Sequence, residues 1–202
     1  MTRKNNEAAT LVGDDILPAL GIGDVIKIDA DAIKNRRLTV TGTRQYAGGS
    51  VRPMVDYVLE DDPGKPPVRL RLLANEYDNA RSLVLTLYDS LHYSEGLHNV
   101  VRDESARLTI HDDPDPANIA GDIFWRIYDV TVSHIRNVNI RSNIGITDAT
   151  VEYWDYSRLI DIEGIETEEF VFVEMNLVDG AFEVWRGVEV APDRIAVESR
   201  LR

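Results

Sequence analysis

Apolar and polar residues alternate with a period of two along most of the chain, the signature of strands that turn one face toward a core. The clearest run is 169–177, where Val171, Val173, Met175 and Leu177 alternate with Phe172, Glu174 and Asn176. It predicts a half-buried strand. Asp179-Gly180 separates this run from the apolar stretch 181–190, and that order predicts a hairpin. Similar runs predict strands at 21–28, 37–43, 54–59 and 68–72. Gly48-Gly49 and Asp61-Asp62-Pro63-Gly64 supply the residue types that turns between them require. In the second half, strands are predicted at 123–132, 136–140, 151–156, 170–177, 182–188 and 195–197.

The stretch 80–91 is ambiguous. Ala80, Leu83, Val84, Leu87, Tyr88 and Leu91 fit a helical stripe, whereas Leu83, Leu85 and Leu87 fit one face of a strand. The β-forming Val84, Thr86 and Tyr88 on the other face favour the strand. Two short helices are predicted: a turn over 16–20, capped by Asp14 or Asp15 and kept brief by Pro18, and a segment starting at Ser94-Glu95 that carries Leu97, Val100 and Val101. The predicted fold class is mainly β, with antiparallel sheets in barrel-like or sandwich modules and one or two short helices.

The segment 111–118, with two prolines and three aspartates, reads as a loop and a boundary. It divides the chain into a flexible segment 1–19, a β-rich module 20–115 and a second β-rich module 116–202, unless the two form one continuous domain. A weak repeat points to tandem duplication: Gly23-Asp24-Val25-Ile26 is echoed by Gly121-Asp122-Ile123-Phe124, and Val55-Asp56-Tyr57 by Trp154-Asp155-Tyr156. Strand alternation predicts that Tyr57 and Tyr156 bury their rings, leaving Asp56 and Asp155 on the opposite, more exposed face.

Composition narrows the function. With 44% apolar residues in a chain of 202, a core is easily built, and a net charge of −13 disfavours nucleic acid and anionic lipid. There is no cysteine, so disulfides, thiolate nucleophiles and cysteine-bound metal are excluded. No run of 18 apolar residues is present, and the expected location is the cytoplasm.

Candidate chemistry is sparse. His92 and His98 lie six apart, which is not a ligand spacing, and His111-Asp112-Asp113 reads as a Pro-rich turn; neither metal nor cofactor is predicted. The glycines at 21–24 lack the Lys-Ser/Thr of a phosphate loop and the third glycine of a dinucleotide fingerprint. Asp155, Asp161, Glu168 and Glu174 are the carboxylates from which an acid and base pair could be drawn. The more economical reading of the acidic residues in 161–183 is a solvated strand face and loops, and the acidic loops 60–65 and 161–169 would steer a basic partner. Trp125, Tyr153, Trp154 and Trp185 are the aromatics that would line a binding groove if they do not fill the core.

Tyr156-Ser157-Arg158, Glu168-Glu169-Phe170-Val171 and the run from Gly187 to Ile195 resemble the C-terminal part of YjfK-type bacterial proteins, over about the last fifty residues. The resemblance implies a cytoplasmic accessory role in envelope stress and no catalytic residue. The function expected from the sequence is therefore non-catalytic binding of a protein partner with a basic surface. The alternatives are a carboxylate-dependent hydrolase, acting on a sugar or peptide, and a homo-oligomer assembled through edge strands.

Overall fold

The alternating runs form β-strands in a computed structural model, which describes residues 20–30, 33, 36–47, 54–61, 67–74, 81–89, 107–110, 122–127, 135–162 and 164–200. Among these residues the strands are β1 (Val25–Ile28), β2 (Arg37–Ala47), β3 (Met54–Glu60), β4 (Val68–Ala74), β5 (Arg81–Asp89), β6 (Arg107–Ile110), β7 (Asp122–Arg126), β8 (Ile135–Ser142), β9 (Gly145–Ile162), β10 (Ile165–Asn176), β11 (Phe182–Glu189) and β12 (Ile195–Ser199). The ambiguous stretch is a strand over its described residues, Arg81–Asp89. β6 was not anticipated. The longest helical piece described is the 3-10 turn Pro192–Arg194, and no described helix is long and apolar enough to cross a membrane. The segment 1–19, the predicted helix after Ser94 and the loop 111–118 lie outside the described residues.

Two meanders build the centre of the molecule. β2, β3, β4 and β5 pair in sequence order, as do β8, β9, β10 and β11, all antiparallel. The last strands of the two meanders pair, β5 with β11, and so do the first, β2 with β8. Eight strands therefore close into a ring, with no free edge between the meanders. Strands from both sides of 111–118 contribute to this one sheet. The Asp-Tyr echoes fall on the second strand of each meander. Of the glycine echoes, however, β1 pairs the first strand of its meander, while β7 pairs the second, β9.

The ring has two covered faces. Over the outside of the first meander, β1 and β12 bury Ile26, Ile28 and Ile195 against Leu38, Val40, Tyr57, Leu59, Val68 and Leu70. Over the outside of the second, β6 and β7 bury Leu108, Ile110 and Phe124 against Trp154, Tyr156, Val171, Val173 and Val184. Tyr46, Val138, Val151, Tyr153, Phe170, Phe172 and Trp185 form the apolar part of the interior.

One irregularity makes this arrangement possible. β2 pairs Val40 with Leu59 but Gly42 with Val58, so Thr41 is an extra residue. The bulge turns the even-numbered residues over: Leu38 and Val40 enter the outer core, whereas Arg44 and Tyr46 enter the ring. Gly42 sits where β8 closes on β2, and a Cβ there would lie 2.9 Å from the Arg141 carbonyl oxygen.

Three expectations are corrected by the covered faces. The strand at 169–177 is buried on both sides from Glu169 to Met175, because its inner face lines the ring and its outer face lies under β6 and β7. The acidic stretch 161–169 is largely the paired ends of β9 and β10, turning at Gly164 with φ +84°. Asp56 and Asp155, at 0% and 1% exposed, are buried like Tyr57 at 5% and Tyr156 at 0%. The face opposite the tyrosines is the ring interior, where arginines replace solvent.

Candidate functional site

The ring interior holds a charge network assembled by strand alternation. β2, β3 and β4 bring in Arg44, Tyr46, Asp56, Arg69 and Arg71; β9, β10 and β11 bring in Asp155, Glu174 and Glu183. Arg71 grips Asp56 with Nε at 2.7 Å and Nη2 at 2.8 Å, a two-pronged geometry that a guanidinium favours. The same Nη2 donates to Glu174. Arg44 reaches Glu174 at 2.8 Å, and Arg69 reaches Glu183 at 2.5 Å. Tyr46 Oη lies 2.8 Å from both Asp56 and Glu174, so its single proton serves one carboxylate at a time. Arg69 lies 3.7 Å over the Trp185 ring and Arg71 4.2 Å over Phe172.

These contacts set the protonation states. Burial pushes Glu174 up, but Arg44, Arg69 and Arg71 outweigh it and hold the carboxyl well below the usual range. Burial first, then Asp56 and Glu174, raises the Tyr46 hydroxyl, which therefore stays neutral. A carboxylate fixed as an anion by three guanidinium groups is poorly suited to donate a proton. Asp155, 3.9 Å from Arg71, belongs to the same enclosed network.

A second cluster lies on the outer face of the second meander. Arg158 bonds Glu169 at 2.6 Å and Asp122 at 2.8 Å, and Arg186 bonds the same two carboxylates at 2.7 and 2.9 Å. Both guanidiniums lie over Phe124, at 4.7 and 5.6 Å. Burial acts to raise Asp122, yet Arg158 and then Arg186 lower it overall.

Beyond the ring, β7, β9 and β10 form an open groove of about 560 Å³, lined by Ile123, Trp125, Ser157, Arg158, Leu159 and Glu168. Its apolar members are accessible: Trp125 is 59% exposed, Leu159 65% and Ile123 38%. Ser157 pairs with Trp125, and Leu159 with Glu168, so alternation places these four on one face. The Arg158 head is engaged with Asp122 and Glu169. The Glu168 side chain makes no hydrogen bond or ion pair among the described residues.

The structure thus separates the residues singled out in the sequence. Of the four carboxylates, Asp155 and Glu174 lie inside the ring, Glu168 lines the groove and Asp161 is exposed at the end of β9, where it accepts the Gly164 N–H at 2.8 Å. They do not converge on one site. Tyr153 and Trp185 are buried in the interior and Trp154 in the outer core, which leaves Trp125 as the aromatic of that set that a partner can reach. Among the described residues, no group of three or more His, Asp or Glu is placed to hold a metal. Sequence reasoning missed the arginines altogether. A signal was available in the 18 arginines against four lysines, a bias suited to paired, stacked cations. No family model, curated protein or solved structure matches the chain.

Proposed function

We propose that this protein is a cytoplasmic, non-catalytic binding module that holds another protein on the groove formed by β7, β9 and β10. The exposure of Trp125 carries the reading. A tryptophan beside Leu159 and Ile123, mounted on paired strands, is a preformed anchor: it buries a large area at little entropic cost, the usual character of an interface hot spot. The acidic surface supports a basic partner, because steering by opposite charge raises the encounter rate. An accessory role in envelope stress rests on the resemblance to YjfK-type proteins alone.

The test is site-specific photocrosslinking in native cells, with the reactive group at Ser157 inside the groove and, as a control, at Asp148 outside it. The expected result is a discrete adduct from position 157 that disappears when Trp125 is also replaced by alanine. Equal adducts from both positions, or an adduct indifferent to Trp125, would overturn the proposal. An adduct twice the mass of the chain would assign the surface to self-association instead.

A further inference from the structure

Among the described residues one arrangement recurs: a guanidinium over an aromatic ring with its donors held by carboxylates. Arg69 lies on Trp185 with Glu183, Arg71 on Phe172 with Asp56, and Arg158 on Phe124 with Asp122 and Glu169. In the groove, Trp125 supplies an exposed ring and Glu168 a carboxylate, on one face of the sheet. Among the described residues no cation lies over Trp125, and the nearby Arg158 head is already engaged. The groove therefore offers a ring and a carboxylate together on one face.

We propose that the groove accepts an arginine side chain from the partner, its guanidinium stacked on Trp125 and paired with Glu168, while Ile123 and Leu159 take the apolar residues that flank it. This deepens the reading of the groove as a protein-binding surface and rests on it. Charge complementarity fixes the sign of the occupant, because Glu166 and Asp161, cross-strand partners next along from Glu168 and Leu159, extend the negative face. Arginine is the occupant rather than lysine because its planar head stacks on indole and meets a carboxylate edge-on, while a lysine ammonium is a hydrated point charge.

The experiment titrates the full chain with an acetylated, amidated Leu-Arg-Val-Arg-Leu peptide, and with versions in which citrulline or lysine replaces both arginines, read by calorimetry. The arginine peptide is expected to bind about tenfold more tightly than the uncharged citrulline isostere, and more tightly than the lysine peptide. Binding should be lost in Trp125→Ala, partly restored in Trp125→Phe, and weakened in Glu168→Gln and by added salt. These side chains are exposed or half-buried, and unchanged melting temperatures confirm that the variants fold. Equal affinity for the arginine and citrulline peptides, with both lost in Trp125→Ala, would overturn arginine recognition and leave the groove a protein-binding surface. Binding that survives Trp125→Ala would overturn both readings. No binding of the arginine peptide at millimolar concentration would overturn the arginine assignment.

Discussion

Tyr46 and Glu174, 128 residues apart in the chain, meet at 2.8 Å inside the ring. Their contact joins the first meander to the second, and Arg71 touches both. Removing the hydroxyl alone, in Tyr46→Phe, should cost about 1–2 kcal/mol, because buried carboxylate oxygens lose a donor. Glu174→Ala should cost about 3–5 kcal/mol, since it strands guanidinium charge that burial has already desolvated. Urea melts of the two variants check the order. If Tyr46→Phe proved the more damaging, the network would not be centred on Glu174.

Asp56→Ala should destabilise by about 3–5 kcal/mol through the same mechanism, because Arg71 loses its two-pronged partner. A change at the exposed Asp148, which accepts from Asn139 at 2.7 Å, should stay within about 1 kcal/mol. Equilibrium unfolding of both alanine variants decides it, and a harmless Asp56→Ala would contradict the buried pairing.

Acid should weaken the fold through Glu174. Its carboxyl is held below the ordinary value of 4.5, so its stabilising contribution is complete above that pH and is lost as pH falls toward the depressed value. Stability measured between pH 6 and 3 should fall more steeply in the native chain than in Glu174→Gln. At the other extreme, burial pushes Tyr57 up to about 12, so its contribution is complete below pH 10 and is lost as pH rises through the upper value. Parallel pH profiles in native chain and Glu174→Gln would show that Glu174 carries no such linkage.

Gly42 closes the ring by having no side chain. Gly42→Ala should cost about 1–3 kcal/mol, because a methyl group 2.9 Å from the Arg141 carbonyl forces β2 and β8 apart. Gly164→Ala meets nothing within 4 Å and carries only the strain of φ +84°, about 1–2 kcal/mol. Amide exchange distinguishes them: Gly42→Ala should speed exchange along the β2 and β8 pairing, and Gly164→Ala only at the end of the β9 and β10 hairpin.

Strand positions were legible in the sequence because period-two alternation is a local property, and a run such as 169–177 carries it whatever surrounds it. The β10 and β11 hairpin followed from Asp179-Gly180 in the same way. The exclusion of thiolate chemistry needed only the composition. What alternation cannot state is what covers each face. Asp56, Glu174 and Arg71 read locally as solvated positions, and they are buried because strand pairing and ring closure bring Arg71 to Asp56, 15 residues away, and to Glu174, 103 residues away. The bulge at Thr41, which sends Val40 outward and Arg44 inward, is equally silent in the sequence, since an even-numbered series looks continuous through it. Trp125 and Trp185 share an aromatic label but not a location. One is exposed on β7 and the other is stacked beneath Arg69, a difference decided by where the ring closes and which strands overlie it. The sequence by itself determined the strands and the chemistry they could carry; ring closure, a long-range event with no local signature, decided which polar residues meet in the interior and which aromatic is left for a partner.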